Sequence, residues 1–564
     1  MHNVVDLGQV DTAPLNQNLY FEFVKMVKEC KKCSQEYEIT ESDLAFLEQI
    51  SPIFAGKRLD VPGSSYCPAC RHQNRLLFRN ERVFYNRKCD LTGKNIVSTY
   101  SPDKPFKVYD QDVWWEDDWD GMDYGRDFDF SRTFTEQFKD LYRDVPHMSL
   151  YTINCENSYY TNYALGQKNC YLIFGAGDNE DCMMCKYIAY SKDVVDGLAI
   201  YSCEFCYEGV ASDQCYGCRF FVNSRNCSEC TMVKDCSACK NCIACFGLRG
   251  KQYCINNKQY SRVDYEKFAK DYEYLDHDKI DFLRGKLDKL EKDLPHIASH
   301  VYASENCSGD GIYNSKNTFE SFDAKECEDC RYIHNSPRCF MVQDCVYCAP
   351  DGVRFGYNVC STVGLERAMS VFYVWYGSDI YYSIECHNCH NLFGCAGLKS
   401  KQYCIFNKQY SKAEYGELVP RIIEYMRKTG EWGEYLAYEL SPFAYNETVA
   451  NEYFPLTKEK CLSSGLTWKD QEESVKSDGD DVYVCEVTGR SFKIIDREKE
   501  FYKKMKVPIP KKHPDLRHLD RLKLRGGIKL IDRKCDKCEK TIRTNILNLD
   551  FKVYCEKCYL KEIY

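Results

Sequence analysis

Histidine is scarce, 11 residues in 564, and none sits in an H-E-x-x-H helix or beside the cysteine pair of a zinc deaminase. A nucleophile elbow, a phosphate-cradling glycine loop and a dinucleotide fingerprint are missing as well, so no recognised catalytic constellation remains. An enzyme is therefore less expected than a binding protein. No stretch approaches twenty uninterrupted apolar residues, which excludes a membrane-spanning helix. The segment Met1 to Tyr20 has neither the basic nor the apolar region of a secretory signal, so a soluble, cytoplasmic protein is expected. A net charge of −9 argues against a chain that coats nucleic acid over its whole surface.

What the chain has instead is cysteine. At 564 residues it can bury large cores without cross-links, so small size does not explain 37 cysteines. Their odd number and frequent C-x-x-C spacing argue against a disulfide framework and leave metal binding and reduced core thiols. Cys30, Cys33, Cys67 and Cys70 form one expected zinc site, with 33 residues between its pairs; Cys535, Cys538, Cys555 and Cys558 form a second, with 16. A C-x-x-C turn presents two thiolates to one ion, and two turns complete a tetrahedron. With every position filled by protein neither zinc could activate water, so about two structural zinc ions are expected.

The two ends of the chain repeat each other. Cys30-Lys-Lys-Cys33 aligns with Cys485-Glu-Val-Thr488, Cys67-Pro-Ala-Cys70-Arg71 with His513-Pro-Asp-Leu516-Arg517, and Phe106-Lys-Val-Tyr109 with Phe551-Lys-Val-Tyr554. Each end thus carries two potential sites and keeps one: Cys89, Thr92, Asp110 and Val113, like Cys485, Thr488, His513 and Leu516, cannot complete a tetrahedron. The middle is duplicated too, since Lys251-Gln-Tyr-Cys254-Ile-Asn-Asn-Lys-Gln-Tyr-Ser261 returns as Lys401-Gln-Tyr-Cys404-Ile-Phe-Asn-Lys-Gln-Tyr-Ser411. Helical segments follow at 263–294 and 412–436.

These segments resemble a family of Cys-rich, zinc-ribbon-flanked proteins of candidate-phyla-radiation bacteria. The resemblance runs through Arg75-Leu-Leu-Phe-Arg79-Asn-Glu-Arg82, Lys88-Cys89-Asp-Leu-Thr-Gly-Lys94, Tyr100 to Trp115, Ser441-Pro-Phe-Ala-Tyr-Asn-Glu-Thr448 and His513 to Arg521. It covers nearly the whole chain and implies no catalytic residue.

Within the first middle unit the C-x-x-C pairs begin at Cys203, Cys215 and Cys227, a step of 12. A short-rung β-solenoid fits this spacing, with a string of small zinc knuckles as the alternative. Cys203, Cys206, Cys215, Cys218, Cys227, Cys230, Cys236, Cys239, Cys242 and Cys245, with Cys386, Cys389 and Cys395 in the second unit, are candidate further metal ligands. His387 and His390 flank Cys389 and could join them. The run Cys236 to Cys245 is similar to an iron–sulfur string but lacks its final spacing and proline. A ladder of buried thiols acting as small apolar side chains is the leading alternative.

Positive charge is segregated at the C-terminus, where Thr488 to Arg543 holds 19 Lys and Arg against 8 Asp and Glu. Arg517, Arg521 and Arg525, four apart on one helix face, together with Lys534, suit phosphates, and Arg71, Arg75 and Arg79 make the same offer at the other end. RNA or a ribosome is the partner these residues suggest; pairing with the chain's own carboxylates, Asp117, Asp118 and Asp120 among them, is the structural alternative. A protein-interaction scaffold is the rival function, suggested by the aromatic content and the acidic run Trp114 to Asp120. An iron–sulfur protein, or a carbohydrate-active one using Asp193, Asp196 or Asp213, comes third.

The expected architecture is mixed α+β and multidomain, with zinc-ribbon-like modules flanking a duplicated, Cys-rich, β-solenoid-like middle with helical inserts. Its boundaries are a tail at 1–29, the N-terminal module at 30–150, Cys-rich units at 151–300 and 301–470, a linker at 471–481 and the basic C-terminal module at 482–564.

Overall fold

The computed structural model describes residues 24–336, 338–346, 356, 357, 359, 360, 362, 366–369, 374, 376–470 and 481–563. The expected tail up to residue 23 and all of the expected linker except Asp481 lie outside them. The fold is mixed α and β, with a cysteine group at each end and a strand-rich middle.

The middle is built on a three-residue step. From Asn154 to Asn256 every third residue is left-handed, with φ between +46° and +71°. None of these positions is Val, Ile or Thr, which fits the high cost of that conformation for a branched Cβ. The residue following each one faces inward: every third residue from Cys170 to Cys245 is buried. C-x-x-C in this region is thus the spacing of consecutive inward positions. Four such steps bring the chain back onto itself, so Asn162 pairs with Phe174, Phe174 with Lys186, Lys186 with Leu198 and Leu198 with Val210, always in parallel and twelve residues on. Eleven strands join into one sheet this way, and a twelfth, Lys258–Gln259, closes one end as an antiparallel hairpin with Gln252–Ile255.

Inward cysteine and serine do the same work. Each donates to a carbonyl two residues back, as Cys203 does to Tyr201 at 3.3 Å and Ser212 to Val210 at 2.8 Å. Many also accept an amide from the next rung, as Cys203 does from Cys215 at 3.3 Å and Ser191 from Cys203 at 3.2 Å. These two satisfy backbone groups while filling the bore beside larger inward side chains such as Ile173, Ile200 and Phe221.

The second half follows the same rule in shorter sheets, with Arg331 opposite Gln343, Ser378 opposite His390 and His390 opposite Gln402. Two turns depart from it: Val301 faces Ile312, eleven residues on, and Gln343 faces Tyr357, fourteen on.

Each terminal module grips the middle twice. Val108–Tyr109 pairs in parallel with His147–Met148, just before the first ladder, and Val553–Tyr554 pairs in the same way with His296–Ile297, just before the second. The helix Pro68–Leu76 lies against Gln343–Val346 of the second ladder, whereas the helix Pro514–Arg525 lies against Leu198–Tyr201 and Glu204–Asp213 of the first. Proline at the first turn suits both helices, and His513 caps the second by accepting from the Asp515 amide at 3.1 Å.

Candidate metal centres

Each quartet is assembled from a strand-turn and a helix start. In the first, the turn after Val24–Glu29 is closed by the Cys30 amide donating to Gln35 O at 3.0 Å and the Ser34 amide to Cys30 O at 2.9 Å. Cys67 and Cys70 arrive on the first turn of the helix Pro68–Leu76. The second quartet repeats these bonds: Cys535 donates to Lys540 O and Glu539 to Cys535 O, both at 2.9 Å. The four sulfurs of either group lie within 4.8 Å of one another, with Cys33 to Cys67 and Cys538 to Cys555 both at 3.8 Å.

Backbone amides prepare these sulfurs for a cation. Cys30 accepts from the Cys67 amide and Cys535 from the Cys555 amide, each at 3.3 Å. Burial pushes the Cys535 thiol up, but the amides of Cys555, Lys537 and Cys538 outweigh it and bring it down to about 6. Four thiols converging on one point fit a tetrahedral metal ion and leave no protein-free position on it.

The two incomplete sites keep the turn without the second pair. Cys89 donates to Lys94 O and accepts from the Asp110 amide at 3.3 Å, and Cys485 donates to Arg490 O. The Cys485 thiol is lowered to about 7, because the amides and hydroxyl around it outweigh its burial. Among the described residues no third set of three or more such donors comes within 4.8 Å.

The remaining metal candidates therefore do not converge as the end quartets do. Cys203, Cys206, Cys215, Cys218, Cys227, Cys230, Cys236, Cys239, Cys242 and Cys245, and likewise Cys386, Cys389 and Cys395, line the bores and donate to carbonyls. His387 packs against Trp114 and Trp115 at ring distances of 5.4 and 4.8 Å, and burial lowers it to about 3. His390 bonds Ser378 Oγ at 2.9 Å on the outer side.

The expected nucleic-acid face needs correction. Arg71, Arg75, Arg79, Arg517, Arg521 and Arg525 are all buried, Arg75 and Arg79 to 0% exposure. Arg71 and Arg75 hold Asp344 at 2.6 and 3.3 Å, and Arg79 holds Glu81 at 2.6 Å. Arg517 and Arg521 share Asp196, the latter at 2.8 Å, while Arg525 holds Asp323 at 2.6 Å. A guanidinium leaves water only for good partners, and these carboxylates, with Asp344, Asp196 and Asp323 on the ladders, supply them. Of the expected contacts Lys534 alone is exposed, and its Nζ donates to Thr541 Oγ1 at 2.7 Å. The alternative of internal pairing is the one realised, with partners other than those expected. Asp196, counted as a sugar-groove candidate, is one of them.

In the acidic Trp run, Trp114 and Trp119 are buried, whereas Glu116, Asp117 and Asp118 are exposed. Trp114 is fully buried and donates from Nε1 to Pro146 O at 3.0 Å; Trp119 donates to Trp114 O at 2.8 Å. Lys401 pairs with Asp120 at 2.6 Å.

A polar contact missed in the sequence joins the two ladders. Tyr151, just before the first, donates to Glu385 of the second; His300, just before the second, meets Asp235 of the first at 2.9 Å. The backbone repeats the match, Tyr151 donating to Asn162 at 2.9 Å and His300 to Asp310 at 2.8 Å. Offsets of 149 and 150 residues make this one contact formed twice, as across a two-fold axis. His300 Nδ1 also meets Asp310 at 2.8 Å.

Burial opposes a charged imidazole, yet Asp310 and Asp235 outweigh it and hold His300 well above its usual range, while His300 holds both carboxyls below theirs. The histidine's contribution is therefore full below about pH 6.5 and fades as pH climbs toward its folded value. Those of the carboxylates are full above about pH 4 and fade on acidification below it. His300→Gln is expected to cost about 3 kcal/mol near pH 6 and less at pH 9. Denaturant midpoints of both proteins across that range test this, and a penalty that stays flat rejects it.

Comparison with protein-family models, with curated proteins and with solved structures finds no match to this chain.

Proposed function

We propose that this chain is a zinc-stabilised scaffold that binds a macromolecular partner, with protein favoured over RNA. The observation that carries the reading is the pair of closed thiol quartets at the ends of modules whose helix arginines Arg71, Arg75, Arg517, Arg521 and Arg525 are directed inward. Thiolate quartets at ribbon spacing suit zinc, and a filled tetrahedron makes the ion structural. In this reading the twelve-residue ladders are duplicated β-solenoid units, clamped by the terminal modules into a rigid body. The free thiols of the described residues fit a reducing, cytoplasmic setting. Membership of the Cys-rich, zinc-ribbon-flanked family belongs to the same reading. No helix among the described residues is long and apolar enough to cross a membrane.

A protein partner is favoured by aromatic rings left on the outer sides of the ladders, Tyr159 at 66% exposure, Tyr190 at 55% and Tyr216 at 49%. The RNA reading keeps one support, the exposed Lys529, Lys534, Lys540 and Lys557 of the C-terminal module. Isolation of the full chain from its own cells, with nuclease treatment, separates the two. A stoichiometric protein partner that survives nuclease, with two zinc ions per chain by elemental analysis, is expected. Complexes lost to nuclease, together with structured-RNA binding that collapses between about 50 and 200 mM salt, overturn the choice of partner, and iron or no metal overturns the zinc assignment.

A further inference from the structure

Sulfur is concentrated along the first ladder. One inward column holds Cys203, Cys215, Cys227 and Cys239, and the adjacent column Cys206, Cys218, Cys230 and Cys242. The bridges Glu204 to Tyr216, Tyr216 to Ser228 and Ser228 to Lys240 place these pairs on four consecutive rungs, at the spacing of about 4.8 Å between neighbouring strands. Each thiol is near enough to its neighbours along the column and across the rung to shift their ionisation: Cys206 and Cys215 act on Cys203; Cys206, Cys215 and Cys230 on Cys218; and Cys227 and Cys242 on Cys239. Cys215 likewise meets Cys227, and Cys230 meets Cys242. The eight form a buried rectangle, two thiols wide and four deep, whose perimeter is an unbroken ring of sulfur neighbours.

Hydrogen bonding does not demand sulfur here, because Ser191, Ser212 and Ser224 serve the same backbone groups at other inward positions. What sulfur adds is affinity for soft cations. The rectangle is unsuited to tetrahedral zinc, since three sulfurs at a corner are separated by a diagonal longer than either edge, and no three of these thiols lie within 4.8 Å. An ion bonded to only two thiolates needs just an edge.

We propose that this lattice takes up soft monovalent cations of the copper(I) class as a bridged thiolate cluster. Each ion enters as Cu(I), bonds two neighbouring sulfurs and stays Cu(I); each thiol loses one proton to solvent and bridges two ions. One ion per thiol around the ring gives eight Cu(I) and eight thiolates, so the buried cluster is neutral. The lattice lies one backbone layer beneath the exposed Glu204, Tyr216 and Lys240.

The test is an anaerobic titration of the reduced, zinc-loaded full chain with Cu(I) held by a chromogenic chelator. The comparison protein carries Cys203→Ser, Cys215→Ser, Cys227→Ser and Cys239→Ser, in which serine takes a role it already fills nearby. Wild type is expected to take up about five more Cu(I) than this variant, whose remaining column of Cys206, Cys218, Cys230 and Cys242 keeps three edges, with correspondingly stronger Cu(I)–thiolate ultraviolet bands. Zinc released during titration reports the end quartets separately, so a wrong zinc assignment is distinguishable from failure here. Equal uptake by the two proteins overturns the proposal. Thermal melts verify that the variant folds; if it does not, Cys215→Ser with Cys227→Ser interrupts the ring by two thiols, and unchanged uptake in that protein is equally fatal.

Discussion

Asp196→Ala is expected to lower stability by about 3–5 kcal/mol, because it strands two guanidinium groups in the interior. Asp196 is fully buried, and its two oxygens are divided between Arg517 and Arg521. Removing the carboxylate leaves both cations without their main counter-charge in a place water does not reach. Asp196→Asn keeps oxygen and shape but not charge, and falls between the two. Asp344 receives Arg71 and Arg75 in the same manner, so Asp344→Ala has a comparable effect at the other clamp. Denaturant midpoints followed by two probes give the measurement, since a chain of this size need not unfold in one step. A loss below about 1 kcal/mol for either alanine variant would mean that these pairs do not hold the helices.

Loss of a metal ligand is expected to have the larger effect on the C-terminal module. Cys535→Ser removes a fully buried sulfur from the quartet, and a structural site of this type binds with an apparent free energy of about 10–16 kcal/mol. The module is then expected to unfold locally, freeing Val553–Tyr554 from His296–Ile297. One metal ion fewer per chain by elemental analysis, with loss of hydrogen-exchange protection over residues 531–563, is the signature. Cys485→Ser alters the same turn where no quartet exists and is expected to cost only about 1–3 kcal/mol. Equal consequences for both substitutions would show that the quartet carries no special share of the stability.

The quartets were legible because ligand spacing is local: two short turns, each visible in a few residues, state the donor set. The arginine helices were legible as helices with one cationic face, but a face says nothing of what covers it. Arg517 and Asp196 are 321 residues apart, and only the docking of a terminal helix on the far ladder brings them together. The same holds for Trp114 and Asp120, whose neighbours come from Lys399 and Lys401. In the middle, the step from Cys203 to Cys215 to Cys227 was readable, whereas the finer step of three was not. Its signal was present in the exclusion of Val, Ile and Thr from every third position between Asn154 and Asn256. C-x-x-C drew attention to metal because the same spacing serves a zinc turn and a bore with one inward residue in three.

That rule of three within twelve constrains how the chain can change in length. Loss of a single residue would carry the thiols of every later storey onto a wall or a corner, and loss of three would restore the inward set while leaving each storey a side short. Within the first ladder only whole storeys can be gained or dropped without such damage; the second departs from twelve at Val301 to Ile312 and at Gln343 to Tyr357. The short storey from Val301 to Ile312 shows what an exception entails: Gly309 stands at φ +140°, where a methyl group would lie 1.8 Å from the Ser321 carbonyl oxygen.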